Sequence, residues 1–171
     1  VRNKIGIILQ DVFLFADTIF NNITLFNKDI TLEDVENAAK ELEIHDFISS
    51  LPGRYNFNVS ERGTTLSAGQ KQLIAFLRVL VNNPDILILD EATSSIDSYS
   101  EDLIKNATKK ITKDKTSIII AHRLSTIESA NKIIYMENGK ILESGNHKEL
   151  LSITNGKFKK LYEEQFIDEL V

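Results

Sequence analysis

The chain has 171 residues, of which 42% are hydrophobic and 26% are charged, and its formal net charge at pH 7 is −5. Such a composition is typical of a soluble globular protein, and neither disorder nor a fibrous repeat is needed to explain it. The acidic balance argues against a nucleic-acid partner, which usually meets clustered Lys and Arg, and because the chain has no cysteine, disulfides and thiolate metal sites are excluded.

The first third of the chain predicts one strand followed by helices. Residues 5–9 have the pattern of a buried strand, and an aromatic-rich turn follows at residues 11–17. A short helix is predicted over residues 18–23. A longer helix is predicted over residues 31–51, because Thr31 can cap it and apolar side chains then recur at helical spacing.

The middle of the chain alternates helices with short apolar strands. A strong helix pattern covers residues 67–81 and ends at Asn-Asn-Pro, and another helix is predicted over residues 98–113. Strands are predicted over residues 86–90 and 116–121. This alternation predicts an α/β fold with a largely parallel sheet.

The pattern of the last part of the chain predicts a short helix, a hairpin and two further helices. Ser125 and Glu128 can cap a short helix. The clearest hairpin signal runs over residues 132–143 around an Asn-Gly pair, and the hairpin is expected to add an antiparallel edge to the sheet. Two further helices are predicted from about Asn146 and about Asn155.

Two acids, Asp90 and Glu91, end the strand predicted over residues 86–90. In α/β proteins this end of a strand faces the ligand site, and phosphoryl-transfer sites place there one acid for Mg²⁺ and another for the attacking water. A strand that simply ends at the surface with two solvated acids is the structural alternative. The pair alone favours the functional interpretation only modestly.

A second candidate lies at the start of the helix predicted over residues 67–81. Ser67 and Gln70 can form a capping box, which is purely structural. The same helix start, with the small pair Ala68 and Gly69, could instead bind a phosphate through backbone amides and the helix dipole. Local physics leaves both interpretations open.

His122 follows the strand predicted over residues 116–121, at the same sheet edge as Glu91 if the sheet is parallel. A lone histidine is usually structural. Its position beside a possible phosphate site makes the functional interpretation the better one.

Taken together, these residues resemble the nucleotide-binding domain of ABC transporters, most closely the exporter type. The likeness covers essentially the whole chain, and its motifs stand in the family's order. The segments that carry it are the Q-loop at Gln10 to Phe15, the exporter loop at residues 60–63, the signature at residues 66–70, the Walker B strand at residues 86–91, the D-loop at residues 94–97, the switch-histidine segment at residues 122–126 and the closing hairpin at residues 135–145.

The resemblance implies a P-loop ATPase-like α/β core, with a largely parallel but incomplete sheet, plus an α-helical lobe that carries the signature. One domain would cover residues 1–171. Residues 11–83 would form the mainly helical lobe, and residues 1–10 and 84–171 would form the remaining part of the core.

The family's chemistry implies ATP and Mg²⁺ as ligands, bound between two such domains in a head-to-tail dimer. Gln10 would contact Mg²⁺ and sense the attacking water, and Asp90 would coordinate Mg²⁺. Glu91 would act as the general base, and His122 would hold the γ-phosphate.

The other nucleotide-binding residues implied by the resemblance would reach the ATP of the partner domain. They are Ser67, Ala68, Gly69, Gln70 and Asp97. Ser67 and Gly69 would bind the γ-phosphate, and Asp97 would couple the two sites across the interface.

Two segments are implied to face a transmembrane domain, at the cytoplasmic side of a membrane. They are Phe13, Leu14 and Phe15, and Glu61, Arg62 and Gly63. The apolar runs of this chain are too short to cross a bilayer, which takes roughly 20 residues. Any membrane connection would therefore go through a partner or through another part of the protein.

The sequence departs from the family pattern in several places. Ala68 replaces the usual glycine, Leu73 stands where a basic residue is common, and Leu77 and Val79 replace smaller residues. The P-loop pattern Gly-x-x-x-x-Gly-Lys-Ser/Thr does not occur in the sequence. We therefore expect a domain truncated before the Q-loop, which binds ATP poorly and does not hydrolyse it alone.

Two other functions are considered. One is an ABC ATPase that acts on DNA or ribosomes rather than in transport. The short distance between Gln10 and Ser67 leaves no room for the coiled coil of chromosome-maintenance members. The other is a catalytically silent module that docks on a partner through its helical lobe, which the presence of Glu91 and His122 opposes for the intact protein.

Overall fold

The computed structural model describes residues 4–60, 65–90, 98–121 and 124–168. The chain folds into two compact units, residues 1–120 and residues 121–171. Helices alternate with strands along the described ranges, so the predicted α/β fold is confirmed.

The first unit contains a parallel sheet and most of the described helices. In chain order its elements are β1 (Ile5–Ile8), α1 (Ile19–Thr24), α2 (Leu32–Glu41), α3 (His45–Ser50), a short 3-10 helix (Arg54–Asn56), α4 (Ala68–Asn82), β2 (Ile86–Asp90), α5 (Ser98–Thr112) and β3 (Thr116–Ile120). The longest of these helices, α4 and α5, have 15 residues. Within the described ranges, none combines the length and apolarity that a membrane crossing requires.

The sheet of the first unit has the strand order β1-β2-β3, and both pairings are parallel. Ile8 pairs with Leu89, and Asp90 pairs with Ile120, so the three strands end at one edge. One face is buried, as Leu87 at 0% exposure illustrates. The other face is also apolar but open, since Ile118 is 57% exposed.

Helix α4 forms the centre of the hydrophobic core. Leu73, Ile74, Phe76 and Leu77 are each at most 1% exposed, and α4 contacts α1, α2, α5 and β1. A helix that is apolar on most sides is stable only when neighbours cover it. The departures from the family pattern at Leu73, Leu77 and Val79 all lie in this core, where their larger side chains are packed.

The single helix predicted over residues 31–51 is wrong, because the structure has two helices there, α2 and α3. Glu43 takes a left-handed conformation between them, with φ of 63°. Leu42 and Ile44 are both fully buried. In one continuous helix they would lie about 200° apart around the axis, so the break lets both side chains reach the same core.

The second unit contains α6 (Leu124–Ser129), β4 (Ile133–Glu137), β5 (Lys140–Gly145), α7 (His147–Ser152) and α8 (Lys157–Asp168). The predicted hairpin is confirmed: β4 and β5 are antiparallel, and both turn residues, Asn138 and Gly139, have positive φ. The expectation that it extends the parallel sheet is wrong. Within the described residues, its hydrogen bonds close a separate two-stranded sheet.

Short polar contacts set the helix starts in the second unit. The side chain of Asn146 accepts a hydrogen bond from the Glu149 amide at 3.0 Å, and Glu149 accepts one from the Asn146 amide at 2.9 Å. The carboxylate of Glu143 accepts hydrogen bonds from the amides of Lys157 and Phe158, at 2.7 and 3.0 Å. An acid at this position satisfies the free amides at the start of α8.

Candidate functional site

The carboxyl edge of the parallel sheet is the first part of the candidate site. Gln10 lies two residues beyond β1 and is exposed, and Asp90 is the last residue of β2 and is half-buried. The predicted residues Glu91 and His122 lie outside the described residues, as does Asp97. In the sequence, Glu91 directly follows Asp90, and His122 comes two residues after the end of β3.

The start of α4 is the second part of the site. The Ser67 hydroxyl oxygen accepts a hydrogen bond from the Gln70 amide at 3.2 Å, and the Gln70 side chain accepts one from the Ser67 amide at 2.9 Å. The predicted capping box is therefore present. It uses only an acceptor position of the hydroxyl, so the O–H of Ser67 can still serve as a donor to a ligand. Structural and ligand-binding roles are compatible here.

A cleft of about 170 Å³ brings two predicted site residues together. Gln10 and Ala68 both line it, and Asp11, Val12 and Lys71 complete the wall. Lys71 adds a positive charge one turn into α4. Sequence reasoning missed it because a single lysine on a helix is ordinarily a solvated residue.

Asp90 lines a different space, a void of only about 10 Å³ that it shares with Gln72 and Thr108 among apolar side chains. Within the described residues, no group of three or more His, Cys, Asp or Glu side chains could hold a metal ion. Mg²⁺ is commonly held by one or two carboxylates, with phosphate oxygens and waters as the other ligands. The carboxylate of Asp90 is a ligand of this type, and Gln10, two residues beyond the neighbouring strand β1, adds a side-chain amide oxygen.

The aromatic segment Phe13–Leu14–Phe15 is divided between core and surface. Leu14 is fully buried, whereas Phe13 and Phe15 are 58% and 45% exposed. Their rings meet edge to face, with centroids 5.1 Å apart. Leu14 therefore anchors the segment while two aromatic rings face outwards. The other predicted docking residues, Glu61, Arg62 and Gly63, lie outside the described residues.

Exposed apolar residues also follow α1, and sequence reasoning missed them. Leu25 and Phe26 are 49% and 59% exposed, and both have positive φ, of 51° and 61°. Bulky residues rarely adopt this conformation, and such local strain often marks functional surfaces. The only sequence signal was two large apolar residues ahead of a polar loop.

Arg78, which sequence reasoning also missed, joins helix α4 to the aromatic segment and to α1. Its guanidinium donates hydrogen bonds to the carbonyl oxygens of Phe13 and Asn22. Burial lowers the pKa of Arg78 to about 10. The partners are distant in sequence, so no local pattern could have indicated the contact.

Comparison with known proteins gives consistent relatives. The family model described as ABC transporter matches residues 1–94, more than half of the chain. "Putative multidrug export ATP-binding/permease protein YgaD" of Bacillus subtilis (strain 168) is 49% identical over 162 residues, which cover 95% of this chain and 28% of the relative. A similarly named protein of Staphylococcus aureus (strain NCTC 8325 / PS 47) is 49% identical over 165 residues, covering 96% and 28%.

A solved structure agrees with these relatives. "Structure of a bacterial Atm1-family ABC exporter with ATP bound" superimposes with a TM-score of 0.84 at 40% identity, covering 96% of this chain and 28% of that one. The chain thus spans 28% of the length of each of these three proteins. On the family match and these likenesses, the chain belongs to the ABC transporter family.

Proposed function

We propose that this chain is part of an ATP-binding and ATP-hydrolysing domain of an ABC exporter, located at the cytoplasmic face of a membrane. The observation that carries the proposal is the sheet register. The three parallel strands end at the same edge of the sheet, where Asp90 is the last residue of β2 and Gln10 comes shortly after β1. In the sequence, Glu91 follows β2 and His122 follows β3. The relatives named as export proteins favour transport over the DNA and ribosome roles of other ABC ATPases.

At the sheet edge, Asp90 and Gln10 would hold Mg²⁺, which when bound neutralises charge on the ATP phosphates. Glu91 would accept a proton from the attacking water, so that the water oxygen bonds to the γ-phosphorus while the bond from that phosphorus to the β–γ bridging oxygen breaks and ADP leaves. His122 would donate a hydrogen bond to a γ-phosphate oxygen and hold it in line. These roles follow the family pattern at matching positions of this sequence.

The start of α4 would contact the ATP held by a second nucleotide-binding domain. Ser67 would donate its O–H, and the backbone at Ala68 and Gly69 would approach a phosphate oxygen. Gln70 would hold Ser67 in place, because the Gln70 side chain accepts a hydrogen bond from the Ser67 amide at 2.9 Å. Asp97 would couple the two sites across the dimer. Each domain would then complete the site of its partner.

The aromatic segment at Phe13 and Phe15, together with residues 61–63, would dock on the transmembrane domain. Exposed aromatic rings that lie side by side, as those of Phe13 and Phe15 do, are typical anchors of protein interfaces. The buried Leu14 between them fixes their positions relative to the core. Closure of the nucleotide site would thus be passed to the membrane part.

Cross-linking tests this docking surface in a transporter whose other parts are made free of cysteine, since the 171-residue chain itself has none. Phe15→Cys, labelled with a benzophenone maleimide in the assembled transporter, is expected to cross-link to the transmembrane domain on illumination. Leu161→Cys, at a residue of similar exposure on α8, should give no such adduct. Mass spectrometry identifies the partner peptide, and equal adducts from both positions would contradict the proposal.

A further inference from the structure

The guanidinium of Arg78 makes three hydrogen bonds to one short stretch of chain. Nε donates to the Asn22 carbonyl oxygen at 2.5 Å, and Nη2 donates to Asn22 Oδ1 at 3.0 Å. Nη1 donates to the Phe13 carbonyl oxygen at 2.8 Å. The rigid fork of arginine suits such a set of acceptors, and none of the three is a carboxylate.

Asn22 extends this contact to the rest of the aromatic segment. It is fully buried, and its Oδ1 accepts a hydrogen bond from the Phe15 amide at 2.8 Å. Its Nδ2 donates to the carbonyl oxygens of Phe15 and Thr18, both at 3.0 Å. The side chain thus holds the backbone of residues 15–18 on one side and Arg78 on the other.

The charge of Arg78 makes this arrangement specific. The group stays protonated at neutral pH, since burial lowers its pKa only to about 10. If its acceptors move away, a cation partly removed from water raises the free energy of the folded state, whereas an apolar side chain would tolerate the shift. The backbone of the aromatic segment is therefore held in one position relative to α4.

Helix α4 continues from this contact to the start of the signature. Arg78 lies 11 residues after Ser67, about 16 Å along the helix axis. The helix has no break between its bounds at Ala68 and Asn82, and its central residues 72–77 are all buried. A buried, regular helix moves as a unit.

We propose that Arg78, acting through Asn22, is a positioning residue that joins the aromatic segment at Phe13 and Phe15 to α4, so that a displacement at that surface reaches the helix start at Ser67. This inference rests on the proposed function, in which the aromatic segment docks on the transmembrane domain and the helix start at Ser67 contacts ATP. It assigns the connection between them to one side-chain pair.

The test compares Arg78→Gln and Arg78→Lys with Lys115→Gln. Lys115 is a matched control, because it also donates to an asparagine side chain and a carbonyl oxygen, those of Asn83 and Pro84. Hydrogen exchange is measured in the full chain at the Phe15 amide. The kcat and KM for ATP are measured in the assembled transporter.

We expect Arg78→Gln to speed exchange at the Phe15 amide about tenfold, with a smaller change for Arg78→Lys and none for Lys115→Gln. Amides of α2 should keep their rates. In the transporter, kcat should fall several-fold in Arg78→Gln while the KM for ATP stays constant, and Arg78→Lys should recover part of the loss.

Unchanged exchange at Phe15, or equally faster exchange throughout α2, would overturn the proposal, since the first shows no connection and the second only a loss of stability. An unchanged kcat would overturn the transmission role. If the unmodified transporter hydrolyses no ATP, the proposed function fails, and the exchange rates still decide whether Arg78 fixes the aromatic segment.

Discussion

Replacing Glu91 with glutamine is expected to lower ATP hydrolysis by the assembled transporter about 100- to 10,000-fold, the usual contribution of a general base. Glutamine keeps the size and hydrogen bonding of the side chain but accepts no proton from water. Binding of MgATP should persist, because the proposed phosphate and Mg²⁺ contacts are made by other residues. Phosphate release at saturating MgATP measures the effect.

Glu33→Gln is the matched control for this substitution. Glu33 is exposed in the first turn of α2 and takes no part in the proposed site. Its variant should retain the full rate. A Glu91→Gln enzyme with more than about a tenth of the normal rate would contradict the assignment of Glu91 as the base, given the expected loss.

Replacing Phe76 with alanine is expected to lower the free energy of unfolding by about 3–5 kcal/mol. Phe76 is 1% exposed at the centre of α4. It also lines the small void next to Ile8, Leu89 and Ile104. Removal of the ring would leave a cavity between α4 and the sheet, and close-packed neighbours can fill it only in part.

Urea unfolding followed by far-ultraviolet circular dichroism measures this change, with Phe26→Ala as the control. Phe26 is 59% exposed, so its loss should stay within about 0.5 kcal/mol. Both substitutions remove the same ring. Equal losses from the two variants would contradict the assignment of α4 as the centre of the core.

Local signals in the sequence were sufficient for most elements of the fold. Thr31 and Ser67 mark the starts of α2 and α4 through capping boxes that the structure contains. The Asn-Gly pair marks the turn of the hairpin. These patterns act over a few residues, so their outcome depends little on the rest of the chain.

Tertiary packing decided the features that the sequence did not indicate. The break at Glu43 exists because Leu42 and Ile44 both enter the core, and a capping or spacing rule does not include that requirement. The hairpin pairs internally because sheet membership depends on hydrogen-bond partners far along the chain. Periodicity predicts strands but not their neighbours.

The candidate site shows the same division. The order of motifs indicated Gln10, Asp90 and the start of α4, although the local physics of Ser67 to Gln70 left two interpretations open. Arg78 escaped detection because its acceptors at Asn22 and Phe13 lie 56 and 65 residues away. A single arginine in an apolar helix pattern gives no sign of which carbonyl groups it binds.

The most direct test of the central claim is a calorimetric titration of MgATP into this chain and into a longer version that carries a Gly-x-x-x-x-Gly-Lys-Ser/Thr loop upstream. This chain has no such loop, which supplies most phosphate contacts in P-loop proteins. We predict tight binding by the longer version and no tight binding by the 171-residue chain. Tight binding by the 171-residue chain alone would contradict the account, because the nucleotide site would then lie elsewhere in it.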